Sequence, residues 1–241
     1  MKSHSDGGSI PPASTILSVT KDFCLYPHRF STLIIEKSDL EASNKIDVLN
    51  ELEKIEISNL GLKRRDEYLF SRFYFRKWLS KVMGIAPREV PLKKRASGKL
   101  SLESKTHFIS LSHSKNFLAL SLGPREHGID IEEISLRPKI KKIHQKCFGD
   151  KTPTHLNISE IDHFFLRWSL LEAHAKCLEQ SLLRLIPYPH DIPKLESDFE
   201  VSKEIRAWVS KLNPSLSFAL VAKSTDEEKQ LQPHFIRLEE I

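Results

Sequence analysis

Apolar residues recur with the spacing of helices in some stretches of this chain and with the spacing of strands in others. A stripe of helical period over residues 62–83 predicts a long amphipathic helix that ends at Gly84. A weaker stripe over residues 40–60 predicts a helix before it, separated from it by Gly61. The apolar side of this earlier helix is expected to consist of Ile46, Leu49, Leu52 and Ile55.

A third helix is predicted in the second half of the chain. Ser159 followed by Asp162 is the pattern of a capping box, and helical spacing continues from there to about Leu178. Residues 139–146 are basic and are a candidate for a further helix. The apolar band of the third helix is expected to consist of Phe164, Phe165, Trp168, Leu171 and Ala175.

Strands are predicted where β-branched and apolar residues alternate with polar ones. Residues 31–36 form one such segment, and residues 106–112 and 117–122 form two more, joined by a Ser-Lys-Asn turn typical of a β-hairpin. Residues 128–133 and 215–223 complete the set.

The chain contains both helices and strands, which predicts an α/β (α+β) fold. Residues 123–127 mark a boundary between an N-terminal α/β half, 14–124, and a C-terminal α/β half, 125–241. Residues 1–13 are polar and rich in glycine and proline, and we expect them to be disordered. Residues 198–211 are predicted to be a helix or a strand pair.

Charge is distributed unevenly. The chain has 37 Lys or Arg against 32 Asp or Glu, a net charge of +5, but the stretch between Lys63 and Lys105 alone has thirteen basic residues against four acidic ones. This excess predicts an anionic partner, which would be a nucleic acid, a phosphorylated cofactor or an acidic protein. No nucleic-acid recognition motif accompanies it.

Cysteine content and hydropathy bear on the compartment. The three cysteines are widely spaced and lack the pairing of a zinc or redox motif. No apolar run approaches the length of a membrane helix, and the N-terminus has no signal-peptide core. We therefore expect a cytoplasmic protein with reduced thiols and no membrane partner.

Two arginines in the predicted helix at 62–83 suggest a phosphate site. Arg72 and Arg76 are four residues apart, so their charges lie one turn apart on one side of the helix and repel each other. A phosphate between them would turn this repulsion into attraction, because guanidinium groups fit phosphate oxygens. Solvation of both side chains, or pairing with Asp66 and Glu67, is the alternative.

Two pairs of charged residues follow in the second half. On a strand, Asp130 and Glu132 project from one face with their Cα atoms about 7 Å apart, a spacing at which a hard cation such as Mg²⁺ would relieve their repulsion. An ordinary half-exposed strand is the alternative. Glu172 and Lys176 are four apart on a helix, and taken alone they predict a surface ion pair.

Three short segments, taken together, resemble the Sfp-type 4′-phosphopantetheinyl transferases. The segments are Ser-Leu-Ser-His-Ser at 110–114, Gly-Ile-Asp-Ile-Glu at 128–132 and Trp-Ser-Leu-Leu-Glu-Ala-His-Ala-Lys at 168–176, and the resemblance extends over residues 62–182. It implies two similar α/β halves in a pseudo-two-fold arrangement. It also implies transfer of the 4′-phosphopantetheine group of coenzyme A to a serine of an apo acyl or peptidyl carrier protein, with Mg²⁺ and with release of 3′,5′-ADP.

The resemblance implies a role for each matching residue. Coenzyme A would contact the basic and hydroxyl side chains, with Arg76 at its 3′-phosphate and His113 donating to a phosphate. Glu172 would be the base, either directly or through a metal-bound water, and Lys176 would lie at the pyrophosphate. The implied residues are Asp130, Glu132 and Glu172 for the metal, Glu172 and Lys176 for catalysis, and Arg72, Arg76, Lys99, Ser112, His113 and Lys176 for the cofactor.

The chain departs from the family pattern at three places. Leu100 follows Gly98-Lys99 where the family has proline, Leu171 replaces a lysine, and residues 179–181 replace glycines, which would let the helix run longer. Loss of the lysine also fits an alternative, a coenzyme A or nucleotide-binding protein without transferase activity. Family analogy favours a monomer that attracts acidic carriers to its basic half. The pathway, fatty-acid, polyketide or peptide, stays open.

Overall fold

The computed structural model shows three β-sheets and five α-helices within the residues it describes. The segment 1–13, predicted to be disordered, lies outside them. The described residues are 29–37, 45–104, 106–149, 154–187, 190–224 and 231–240.

The long helices form where the sequence predicts them. The second helix ends at Gly84, whose φ of 67° is the left-handed conformation that glycine adopts easily, and the fourth begins after Ser159, whose side chain caps it. No helix in the described ranges has the length and apolar content needed to cross a membrane. The α-helices are α1 (Glu51–Ser58), α2 (Leu62–Met83), α3 (Ile140–Phe148), α4 (Glu160–Leu178) and α5 (Leu182–Leu185), with short 3₁₀ helices at Lys45–Val48, Pro87–Glu89, Thr154–Leu156 and Leu238–Glu240.

The helix predicted over residues 40–60 is wrong in extent and in orientation. Asn50 begins a new helix, because its side chain accepts a hydrogen bond from Glu53 N (2.9 Å) while the Glu53 carboxylate accepts one from Asn50 N (3.1 Å). The buried side of α1 contains Glu53, and Leu52 and Ile55 are 77% and 62% exposed. The apolar periodicity gave a wrong prediction because Glu53 faces the protein interior, where it pairs with arginines of α2.

The strands assemble into two four-stranded sheets and one two-stranded hairpin. The predicted hairpin at 106–122 is confirmed, and residues 198–211 lie in a strand pair. The sheet orders are β10-β1-β5-β4, β2-β3 and β6-β9-β8-β7. The strands are β1 (Phe30–Glu36), β2 (Leu92–Lys94), β3 (Leu100–Leu102), β4 (Phe108–His113), β5 (Phe117–Gly123), β6 (His127–Glu133), β7 (Asp198–Ser202), β8 (Ile205–Asn213), β9 (Leu216–Lys223) and β10 (Pro233–Ile236).

This architecture confirms the predicted α+β class. Helix α2 packs on the first sheet through Phe75, Trp78 and Leu79, and α4 packs on the sheet that contains β6. The division into halves at residues 124 and 125 remains a prediction. Strand β10 belongs to the second predicted half but pairs in parallel with β1 of the first, so one sheet contains strands from both halves.

Helix α4 lies unusually close to β6. Gly128 faces the helix, and a Cβ at this position would lie 2.6 Å from Cys177 N and still closer to the carbonyl oxygen of Ala173. Glycine is therefore the residue that the close approach allows. The same face of β6 carries Asp130 and Glu132, since alternate residues of a strand point to one side.

The two four-stranded sheets are joined by a row of serines, which we call the serine ladder. Three serines at alternate positions, two in β4 and one directly after it, each accept a hydrogen bond from a backbone N–H on the free edge of β6. Side-chain oxygens thus satisfy donors that would otherwise need another strand. The pairs are Ile129 N to Ser110 Oγ (3.0 Å), Ile131 N to Ser112 Oγ (3.4 Å) and Glu133 N to Ser114 Oγ (3.0 Å).

Candidate active site

Asp130 lies at the centre of a buried polar group between the two large sheets. Its Oδ1 accepts hydrogen bonds from Ser112 Oγ (2.6 Å) and from Lys176 Nζ (2.8 Å). Its Oδ2 is buried and has no hydrogen-bond partner among the described residues. A buried carboxylate oxygen without a donor is costly, so this atom is a candidate ligand for a cation.

Lys176 connects α4 to both sheets. Besides Asp130, its ammonium donates to Ser112 Oγ (2.9 Å) and to the carbonyl oxygen of Ile129 (3.2 Å). The surface ion pair with Glu172, which the spacing alone predicts, is replaced by this partly buried pair with Asp130. Close packing of α4 against Gly128 brings the lysine within reach of β6.

Three acidic side chains lie close enough to influence each other's ionisation. Burial, followed by the charge of Asp130 and a smaller effect of Glu172, raises the pKa of Glu132 to about 7. Burial and then the charge of Asp130 also raise the pKa of Glu172. Crowding of carboxylates in a poorly solvated place favours either protons or a bound cation.

The chemistry of these side chains fits Mg²⁺, which prefers carboxylate oxygens. The unpartnered Oδ2 of Asp130 and the raised pKa values of both glutamates support a cation here. In the described ranges, however, no three or more His, Cys, Asp or Glu side chains are positioned as a ready-made metal site. The carboxylates of Asp130, Glu132 and Glu172 are therefore suitable ligands for the ion, but their side chains would have to rotate towards one another to bind it together.

Two cavities meet at Glu172. The first, of about 560 Å³, we call the polar cavity, and the second, of about 520 Å³, the apolar cavity. Glu172 lines both. The polar cavity is also lined by Arg72, Ser97–Leu100, Ser110, Leu111, Ala175, Lys176 and Glu179–Leu182, and the apolar cavity by Glu132, Arg137–Ile140, Ile143, Phe164, Phe165 and Trp168.

The two arginines of α2 share one carboxylate. Glu53 of α1 pairs with Arg72 Nε (3.2 Å) and with Arg76 Nε (2.7 Å). Arg76 is 0% exposed, and its Nη1 donates to the carbonyl oxygens of Pro87, Arg88 and Val90. This corrects the expectation for Arg76, whose side chain is committed to the fold, whereas Arg72 lines the polar cavity.

Lys99 lies in a network that attaches the turn at 95–99 to the end of α4. Its ammonium donates to Glu126 Oε2 (3.1 Å) and to the carbonyl oxygens of His127 (3.2 Å) and Lys176 (3.1 Å). Burial would raise the pKa of Glu126, but the hydrogen bonds and charges of Arg95 and Lys99 outweigh it and lower that pKa. Acidic residues of the second half thus neutralise part of the basic excess of the first.

The remaining predicted residues are placed by the same elements. Ser112 is buried in the serine ladder, and His113 is exposed at the end of β4. Leu171 is 2% exposed and packs against α3, so its position is part of the core. The helix does not run longer at the replaced glycines, because Glu179 ends it in a left-handed conformation (φ 52°) and pairs with Arg95.

Sequence reasoning missed the roles of Glu53, Ser110 and Ser114. The three serines at alternate positions, two in one predicted strand and one in the turn after it, were a visible signal of a polar face. Their partners were not visible, because the edge of β6 lies nineteen residues further along the chain. Glu53 gave no signal, since an acidic residue in an amphipathic pattern is expected to face solvent.

Comparison with known proteins bears on this site. No curated protein matches the chain significantly. Residues 126–222 match the model of one family, described as the 4′-phosphopantetheinyl transferase superfamily. The matched segment contains Asp130, Glu132, Glu172 and Lys176, and it confirms the family suggested by the three motifs. Residues 126–222 of this chain are therefore similar to the 4′-phosphopantetheinyl transferase superfamily.

Proposed function

We propose that this protein transfers the 4′-phosphopantetheine group of coenzyme A to a serine of an apo acyl or peptidyl carrier protein and releases 3′,5′-ADP. The single observation that carries this proposal is the position of Glu172 between a polar and an apolar cavity. Coenzyme A has a strongly anionic nucleotide end and an uncharged arm, and its pyrophosphate lies where the two meet. One cavity is lined by several basic side chains and the other mainly by apolar and aromatic ones, and such a pair with an acid between them suits this substrate.

The polar cavity supports binding of the nucleotide end. Arg72, Lys99 and Lys176 line it, and each presents a positive charge to an anionic ligand. His113 stays a proposed phosphate contact, since its side chain is exposed at the end of β4 and is free to turn. Ser112 would act through Asp130 and Lys176, to which it is bonded.

The apolar cavity supports binding of the pantetheine arm. Phe164, Trp168 and Ile143 line it, and Glu132 and Glu172 are its acidic side chains. An arm with amide and methylene groups can bury its apolar surface against the aromatic rings. The acidic side chains would then lie beside the phosphorus to which the arm is attached.

Mg²⁺ would be held by Asp130, Glu132 and Glu172, and when bound it would neutralise charge on the pyrophosphate. The residues contribute the remaining steps. The carrier serine forms a bond to the phosphorus nearer to pantetheine, and the bond from that phosphorus to the bridging oxygen breaks. Glu172 accepts the serine proton, either directly or through a water. Lys176 balances the charge on the departing 3′,5′-ADP.

The experiment is a mass measurement on intact carriers. Apo carriers of fatty-acid, polyketide and peptide pathways are incubated separately with the protein, coenzyme A and MgCl₂. The proposal predicts that at least one carrier gains one phosphopantetheine group, that an equal amount of 3′,5′-ADP appears, and that EDTA prevents both. Coenzyme A binding with no change in the mass of any carrier would instead favour the alternative of a binding protein without transferase activity.

A further inference from the structure

Lys176 is the cation that pairs with Asp130 in this structure. Its ammonium lies 2.8 Å from Asp130 Oδ1, and Ser112 Oγ, 2.6 Å from the same oxygen, also accepts a hydrogen bond from that ammonium. The pair is partly shielded from solvent, because the Asp130 side chain is 5% exposed and that of Lys176 is 29% exposed. Attraction in such surroundings is weakly screened by solvent.

A divalent cation on Asp130 would be close to this ammonium. Two positive charges that share one carboxylate repel each other, and the repulsion is strong where solvent is excluded. The lysine has another direction open to it, since Lys176 also lines the polar cavity. One side chain thus has two possible partners, the carboxylate of Asp130 and an anion in that cavity.

We propose that Lys176 is an internal counter-ion of Asp130 that a divalent cation displaces, and that its displacement frees the ammonium for the phosphates of the substrate. This inference rests on the proposed function, because it takes Asp130 as a ligand of the metal. It explains why the acidic side chains are not gathered around one point, since Asp130 Oδ1 is turned to the lysine and the serine. Metal binding and phosphate binding are then coupled through one side chain.

The test is a titration with Mn²⁺, followed by electron paramagnetic resonance, without coenzyme A. The wild type is compared with Lys176→Met and with Lys211→Met as the matched control. Lys211 also forms a partly buried ion pair, with Asp162 at 2.9 Å and a side-chain exposure of 26%. We expect Lys176→Met to bind Mn²⁺ about tenfold more tightly than the wild type, a typical coupling between two sites, and Lys211→Met to bind as the wild type does.

The outcomes separate this inference from the function on which it rests. Equal or weaker binding in Lys176→Met, with clear binding in the wild type, overturns the counter-ion role and leaves the metal site in place. No binding by either protein overturns both.

A second measurement uses only the wild type, in case Lys176→Met does not fold. Lysines are labelled with an acylating reagent with and without MgCl₂, and the labelled peptides are quantified by mass spectrometry. Displacement predicts that Mg²⁺ increases the labelling of Lys176 relative to Lys211. An unchanged or lower ratio overturns the inference.

Discussion

Ser112 Oγ donates a 2.6 Å hydrogen bond to Asp130 Oδ1, and this bond links β4 of one four-stranded sheet to β6 of the other. The same hydroxyl accepts hydrogen bonds from Lys176 and from the backbone of Ile131. One small side chain therefore positions the central acid and ties the two sheets together.

Replacement of Ser112 by alanine should destabilise the protein more than replacement of Ser110. Both changes remove a member of the serine ladder, but only Ser112→Ala removes a donor from a buried carboxylate. We predict a loss of about 1.5–3 kcal/mol in the free energy of unfolding for Ser112→Ala and about 1 kcal/mol for Ser110→Ala. Urea denaturation measures both, and equal losses would contradict a special role for the bond to Asp130.

Arg76 should matter for folding rather than for binding. Its guanidinium is fully buried and bonded to Glu53 and to three carbonyl oxygens. Arg76→Met removes a buried cation and its four hydrogen bonds, and we predict a loss of about 3–5 kcal/mol in the free energy of unfolding. Lys94→Met is the control, because its ion pair with Glu56 is exposed and should contribute less than about 1 kcal/mol.

A double-mutant cycle isolates the buried pair. Glu53→Met combined with Arg76→Met should cost less than the sum of the single changes, because Glu53→Met leaves the buried charge of Arg76 without its partner and the second change removes that charge. Strict additivity in urea denaturation would show that the two side chains do not interact.

Gly128 should not tolerate a side chain. A Cβ there would overlap backbone atoms of Ala173 and Cys177 on α4, which cannot move aside without moving the helix. We predict that Gly128→Ala lowers the free energy of unfolding by about 1–3 kcal/mol. Gly61→Ala, where a Cβ meets nothing within 4 Å, is the matched control and should cost less, about 0.5 kcal/mol, since its only loss is that alanine is a poorer helix N-cap than glycine. Equal thermal stability of the two variants would contradict the close approach of α4 to β6.

Moderately acidic pH should lower the free energy of unfolding, at pH values where most carboxylates are still ionised. Burial lowers the pKa of His127, His163 and His174 from 6.5 to about 4 each. Between pH 6.5 and pH 4, these histidines are therefore protonated in the unfolded chain and neutral in the folded chain. The free energy of unfolding therefore falls as the pH falls through this window, by up to about 1.4 kcal/mol per pH unit for each histidine. Glu132, whose pKa is raised to about 7, and Glu172, whose pKa is also raised, have the opposite effect but are two groups against three.

Urea denaturation near neutral pH and at about pH 5 measures this dependence. His174→Gln should reduce the loss, because it removes one of the three groups. Equal or greater stability of the wild type at the lower pH would contradict neutral, buried histidines.

The local elements of this fold could be predicted, whereas the contacts between distant segments could not. Helix α4 follows from the Ser159 cap and its apolar band, and three motifs in order indicated the family. Each of these signals is contained in a short segment of the sequence. Pairing of β10 with β1 joins segments about 200 residues apart, and no local pattern encodes it. The inward turn of Glu53 and the bond of Lys176 to Asp130 likewise depend on neighbours that only the folded chain provides.

The central claim is that acidic side chains from β6 and α4 act together in phosphopantetheine transfer. Asp130→Ala and Glu172→Ala test it directly, assayed by the mass of a carrier that the wild type modifies, with circular dichroism and urea denaturation as controls for folding. The account predicts that both variants fold and that each transfers phosphopantetheine at least about 100-fold more slowly than the wild type. Wild-type rates of transfer in either folded variant would contradict it.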